Sequence, residues 1–398
     1  METGNTNFQM TAKTQFGLED LLSEELKKLG AGNIEKHNRA VSFEGDKGFM
    51  YKANLCLRTA LRILKPIKTF NIVNEEGLYR EIGKINWEDY MQVDDTLAID
   101  CALNSDFFTH SQFLAQKAKD AVVDQFRNKH GRRPSVDLET PTLRINLHIF
   151  KNVCTVSLDS SGESLHKRGY RNQTNLAPMN EVLAAGLVLL SGWDKRTPLI
   201  DPMCGSGTIL IEAAMIANNI PAGYFRKKFG FESWKDFDPA LWDTIFNAAI
   251  DKISEENQQI TGIELSPETA KMAQENILSA KVEDTVKVFC SSFQDFEPWE
   301  HITKTTGRPI LIMNPPYGER LDTQNIVELY KSIGDTLKKK YTGCDAWIIT
   351  SNPDAMKSIG LHGTRKISLY NGQLECKYLK FSMYDGTKKV HKIKDKPE

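Results

Sequence analysis

No run of roughly 18 apolar residues occurs in this chain, and no charged-then-apolar segment opens it, so transmembrane and secretory readings both fail and a cytoplasmic protein is expected. Cysteine is scarce: the seven, at positions 56, 101, 154, 204, 290, 344 and 376, are odd in number and include no C-x-x-C pair. That excludes a disulfide framework or a zinc site, and no metal is expected. Excess charge of one sign is also missing, the net charge being −1, so any nucleic-acid contact must come from local patches. Two phosphate-binding signatures are absent as well. There is no G-x-x-x-x-G-K-[ST], and a G-x-G-x-x-G would need glycine where Leu210 stands. What is present is globular, 40% hydrophobic and 26% charged, over 398 residues. That length suits two or three domains.

The most informative stretch is Asn314-Pro315-Pro316-Tyr317-Gly318. It follows the apolar run Ile310–Met313, so an amide, two rigid prolines and a ring emerge from the end of a buried strand. Proline fixes its own φ and holds the residue before it extended, which denies Asn314 and Pro315 helical geometry. Two acceptors, the Asn314 amide oxygen and the Pro315 carbonyl, then point one way. A planar exocyclic amine offers two N–H donors to such a pair, and Tyr317 offers a stacking face to the base that carries it. Asn314, Pro315, Pro316 and Tyr317 are therefore the candidate catalytic residues.

A second motif, Thr197–Thr208, reads TPLIDPMCGSGT: a short apolar strand ends in Asp201, and a turn with two glycines opens a helix over Ile209–Ala217. The glycines let backbone approach a ligand, and the helix start offers unpaired N–H groups to a carboxylate. A third, Ile260–Glu264, is a strand ending in an acid where an adenosine ribose would present its hydroxyls. Strand-acid-glycine turn, strand-acid and strand-NPPY, in that order, resemble the class I S-adenosylmethionine-dependent methyltransferases that modify exocyclic amines. The resemblance implies that Asp201, Cys204, Gly205, Ser206, Gly207, Thr208, Glu264 and Asn314 face S-adenosylmethionine, with Cys204 packing in the turn. Many such enzymes carry an acid at the position of Ser292; here the adenine amine would meet the Ser292 hydroxyl, backbone, or Asp295.

The preceding half is α+β. Residues 5–70 carry a strand at Phe8–Ala12, a helix over Leu18–Leu29 with leucines at 18, 21, 22, 26 and 29, a strand near Ala40–Phe43 and a helix near Gly48–Leu57. Residues 71–157 carry a helix or turn around Gly77–Ile82, strand Thr96–Ala102, helix Ser111–Asn128 and a hairpin of Leu143–Phe150 with Val153–Leu158. The order of a ferredoxin-like piece, this second unit and then the methyltransferase motifs resembles THUMP-containing RNA methyltransferases, in which the THUMP boundary starts nearer residue 43. That resemblance implies RNA as partner and makes the basic turn at Arg132 and Arg133 a candidate phosphate contact.

The junction Ser161–Arg171 mixes Lys167, Arg168 and Arg171 with His166 and Tyr170, a composition suited to phosphates and one stacked base. Together with Ala177–Ala185 it closely resembles the bacterial large-subunit rRNA guanine-N2 methyltransferases of the THUMP family, the YpsC-like proteins and the N-terminal half of the fused RlmL enzyme. That family's junction contributes to the cofactor and substrate sites, which draws in Arg171 and Asn180. Residues 218–258 are an insertion whose aromatics, Phe229, Phe231, Trp234, Phe237 and Trp242, are expected to form a small core under a long loop, exposed members making a wall for bases. Helices are expected over Pro267–Ser279 and Ile326–Lys340, strands over Thr285–Phe289 and Ala346–Thr350, and a closing hairpin around Asn371-Gly372.

The expected architecture is α/β: a Rossmann-like seven-stranded class I methyltransferase domain over 165–387, preceded by the ferredoxin-like and THUMP regions and followed by a charged tail at 388–398 whose five lysines either brush RNA or solvate the terminus. The expected activity is methyl transfer to the N2 amine of a guanine in 23S rRNA by direct displacement, with neither a covalent nucleophile nor a strong base. Rival readings are a tRNA guanine-N2 enzyme, a DNA adenine-N6 enzyme and, from another class, a non-catalytic RNA-binding assembly factor.

Overall fold

Alternation of apolar and polar residues builds the first of two units. In β1 (Phe8–Thr14), Met10, Ala12 and Thr14 are buried while Gln9, Thr11 and Lys13 take the other side. The computed structural model describes residues 6–171, 179–254, 258–303, 305–316 and 323–384. The first unit takes in 6–14, Leu22–Lys167 and Pro221–Asp251; the second takes 15–21, Arg168–Ile220 and 252–384.

After β1 come α1 (Glu19–Leu29), β2 (Gly32–His37), β3 (Ala40–Gly45), α2 (Lys47–Cys56), β4 (Ala60–Asn71), α3 (Glu75–Gly83), β5 (Thr96–Asn104), α4 (Ser111–His130), β6 (Ser135–Val136), β7 (Leu143–Phe150) and β8 (Val153–Asp159). The eight strands form one sheet in the order β2-β3-β1-β4-β8-β7-β5-β6. Three of them, β2, β4 and the two-residue β6, have no counterpart in the sequence expectations. β2 is exposed along nearly its whole length, so it carries no apolar pattern to read. β4 contains Pro66, tolerated because the ladder to β8 slips between Pro66 and Lys68 and spares the missing N–H. β4 pairs with both β1 and β8, so the sheet runs unbroken across residues 70–71.

The insertion is a correction of location. Phe229, Phe231 and Trp234 are buried, but in the core of the first unit, among residues of β1, α2 and β4. Phe231 stacks on Tyr51 at 4.3 Å, and Trp242 meets Phe231 edge-on at 5.2 Å. The chain leaves the second unit and returns to it at one place. There Asn219 Nδ2 donates to the Lys252 carbonyl at 2.9 Å and Ser254 N to the Asn218 carbonyl at 3.0 Å.

The second unit is a seven-stranded sheet of β9 (Leu199–Asp201), β10 (Ile260–Glu264), β11 (Val286–Cys290), β12 (Ile310–Met313), β13 (Asp345–Thr350), β14 (Arg365–Asn371) and β15 (Leu374–Ser382), ordered β11-β10-β9-β12-β13-β15-β14. β15 runs antiparallel to both β13 and β14, and the other described pairs of this sheet are parallel. The closing turn sits one residue later than expected: Asn371 pairs with Leu374, so the loop is Gly372-Gln373 with the positive φ of +61° on glycine. The helices α5 (Glu181–Ser191) and α6 (Thr208–Ala217) flank the central strands.

Phe231 lies between the Thr197–Thr208 and Ile260–Glu264 motifs in sequence, yet Phe231→Ala should cost the first unit about 3–5 kcal/mol, the range for truncating a buried ring. Hydrogen exchange during urea unfolding checks this. Protection should fall in β1 and α2 and persist in β9 to β13, and the reverse pattern would refute the assignment.

Candidate active site

Chain order in the second sheet runs outward from β9 through β10 to β11, then restarts on the other side at β12. The crevice beyond the carboxyl ends of β9 and β12 is therefore a topological switch point, the place where open α/β sheets take ligands. The motif residues end those strands: Asp201 on β9, Glu264 on β10, Cys290 on β11, and Asn314 directly after β12.

Gly205 and Gly207 hold the turn after β9 with φ of +53° and +83°, values that other L-residues rarely adopt. Gly207 caps α6 without a side-chain hydrogen bond, so the first N–H groups of that helix are left to a ligand. Gly262 serves close packing: a Cβ there would lie 2.4 Å from Leu210 Cδ1 and 3.0 Å from Cys204 Sγ. The Glu264 carboxylate ties the motifs together by accepting from Gly205 N and from Ser266 N, both at 3.0 Å. The buried Asn276 donates to the Ser206 carbonyl at 3.2 Å. Cys204 is 7% exposed, and burial pushes its thiol well above the ordinary range, so it packs rather than reacts.

Asp201 is 1% exposed and accepts one hydrogen bond, from Met203 N at 3.2 Å. Burial, with a smaller push from the Glu264 charge, raises its carboxyl to about 8. Across the switch point the Asn314 amide oxygen is buried and has no hydrogen-bond partner among the described residues. A buried acceptor left unpaired costs roughly 1–3 kcal/mol, which a donor on a bound molecule would recover. Pro315 is buried and Pro316 half-buried beside it. Tyr317, with Gly318 to Leu321, and the tail at 388–398 lie outside the described residues.

Several expected contacts sit elsewhere. The Ser292 hydroxyl is engaged with Asp295, donating to its carboxylate at 2.5 Å and accepting from its N–H at 3.0 Å. Asn180 caps α5 through N–H groups of Val182 and Leu183. Arg168, expected at a phosphate, is a correction: it is 1% exposed, with Nε 3.3 Å from the fully buried Glu212 carboxylate. Arg171 is also turned inward, onto Glu181, Met179 and Thr208. In the first unit Lys167 stays exposed, with Glu163 at 2.7 Å; Arg132 pairs with Asp94 at 3.0 Å on the surface, and Arg133 is exposed. Sequence reasoning passed over Leu265, which is 71% exposed directly after Glu264.

A sequence profile of the RMKL-like methyltransferase domain matches residues 168–380, more than half of the chain. The chain belongs to the RMKL-like methyltransferase family. Its other regions match the THUMP domain over 73–159 and the RlmL ferredoxin-like domain over 9–64. A Synechocystis protein provisionally named an RNA methyltransferase is 38% identical over 92% of this chain and 95% of its own length. The ribosomal RNA large subunit methyltransferase K/L of Syntrophotalea carbinolica is also 38% identical over 92% of this chain, which spans only 52% of that relative. Among solved structures, that of SMU.472, provisionally named a methyltransferase and complexed with SAH, is 30% identical with a TM-score of 0.83, covering 96% of this chain and 99% of that one. SAH, in that neighbour's complex, is the demethylated form of S-adenosylmethionine. The glycine turn and the acid on β10 suit S-adenosylmethionine.

The Asp201 shift makes a signed prediction. Its pKa rises from about 3.9 unfolded to about 8 folded. Between those values the folded state holds the extra proton, so the stability it contributes is lost as pH rises towards 8. Asp201→Asn should therefore stabilise the free protein, by more at pH 8 than at pH 5. Urea unfolding at both pH values decides; parallel pH profiles for the two proteins would contradict the assignment.

Proposed function

We propose that the chain transfers a methyl group from S-adenosylmethionine to the exocyclic N2 amine of a guanine in 23S rRNA. The observation that carries this reading is the unpaired, buried Asn314 oxygen at the switch point, next to the turn that would hold the donor. When bound, S-adenosylmethionine supplies the electrophilic methyl. The residues do the rest by position. Glu264 would accept from the ribose hydroxyls, and the α6 start would receive the donor's carboxylate. The Asn314 oxygen and the Pro315 carbonyl would accept the two amine hydrogens, which turns the nitrogen lone pair outward. Positioning and fixed dipoles suffice for a displacement of this kind, because the amine sheds a proton once it has gained the methyl.

RNA as substrate is supported by the THUMP match and by relatives named as large-subunit rRNA methyltransferases. The first unit would then dock RNA, with Lys167, Arg132 and Arg133 as exposed cations. The NPPY residues suit any planar amine, so adenine in DNA and guanine in tRNA are the substrates to exclude.

Single-turnover transfer from labelled S-adenosylmethionine to large-subunit rRNA, tRNA and DNA tests the reading. N2-methylguanosine in the rRNA is expected; label only in tRNA, or N6-methyladenine in DNA, would overturn it. Asn314→Ala should slow the transfer about 10²-fold or more while leaving donor and RNA affinities nearly intact, because a positioning contact is felt mainly at the transition state. Near-normal rates would place the active site elsewhere.

A further inference from the structure

Within the second unit the junction cations grip one helix. Arg171 Nη2 donates to the Thr208 hydroxyl at 2.9 Å and to the Met179 carbonyl at 3.2 Å, and it pairs with Glu181 at 3.1 Å. Thr208 is the first residue of α6, directly after Gly207 of the glycine turn. One turn further on, Glu212 accepts from Arg168 Nε at 3.3 Å and from the Tyr170 hydroxyl at 3.1 Å. Positions 208 and 212 lie four apart on one helix face. Residues 168, 170 and 171 therefore hold α6 at two successive levels and fix its rotation about its own axis. That anchoring sets where the N–H groups of the helix start lie.

A phosphate could recruit Arg171 only by drawing it off a carboxylate, a carbonyl and a hydroxyl. The side chain is only 12% exposed and Glu181 only 7%, so Glu181 would be left as an uncompensated buried charge. Lys167, 59% exposed and paired with Glu163 at 2.7 Å, remains available to RNA. The Arg168–Glu212 pair is buried on both sides, a poor place for mutation but a firm anchor for the neighbouring Arg171.

We propose that Arg171 is a positioning residue for the methyl-donor site, acting through Thr208, and that it is not an RNA contact. The proposal rests on the assignment of the glycine turn and α6 to S-adenosylmethionine. Its test is a double-mutant cycle in the full chain, with calorimetric affinity for S-adenosylmethionine, RNA affinity over a series of salt concentrations, and thermal unfolding as readouts. Arg171→Lys keeps the charge but loses the planar fork, and Thr208→Val loses the hydroxyl at nearly constant shape. Each should weaken donor binding about tenfold, and the double variant should be no weaker than the worse single one, because both break one link. RNA affinity should stay within about twofold and the unfolding temperature within a few degrees. Additive losses of donor affinity would show that Arg171 acts independently of Thr208. A loss of RNA affinity with a shallower salt slope would make it a phosphate contact. Either result overturns the proposal. Wild-type protein that binds no S-adenosylmethionine would overturn the donor-site reading and the proposal with it.

Discussion

One carboxylate holds the second unit's crevice in shape. Glu264 receives N–H groups from two different turns, Gly205 after β9 and Ser266 after β10, and so fixes the distance and angle between the ends of two adjacent strands. Everything else in the site is referred to that clamp. The glycine conformations, the absence of a Cβ at Gly262 and the start of α6 all serve to bring backbone close to the same acid. A carboxylate already holding two hydrogen bonds keeps lone pairs free. It can therefore meet a ribose without giving up the turn it supports.

Among the residues expected at the site, some polar groups are engaged inside the protein and others are not. Ser292, Asn180, Arg168 and Arg171 are all engaged inside the protein. The buried Asn314 amide oxygen has no partner among the described residues. Asp201 is intermediate, a buried acid with one backbone donor and a raised pKa. Orphaned or poorly solvated polar groups are costly. Their placement at the switch point, amid well-packed strands, makes the site a place where a ligand relieves what the fold leaves unmet.

How much of this was legible in the sequence depended on how local the signal was. The motifs at Asp201, Glu264 and Asn314 could be read because each is an apolar strand cut off by an acid, glycine or proline. β4 could not, because Pro66 and its lysines mask a strand that survives by a bulge. The insertion was recognised as an aromatic core, but its owner was not. Nothing near Phe231 in sequence indicates that its stacking partner is Tyr51. Arg168 misled for the same reason. It reads as an exposed cation in a polar junction, while its partner is 44 residues away. A signal did exist at the other end: Glu212 is the one charged residue in the helix TILIEAAMIA, and a lone acid in so apolar a helix must find a cation.

The claim that this crevice methylates a guanine amine in ribosomal RNA is tested most directly by nucleoside mass spectrometry of 23S rRNA from cells lacking the gene, complemented with wild type or with Asn314→Ala. The account predicts that one N2-methylguanosine disappears, returns with the wild type and does not return with the variant. An unchanged N2-methylguanosine content in the cells lacking the gene would contradict it.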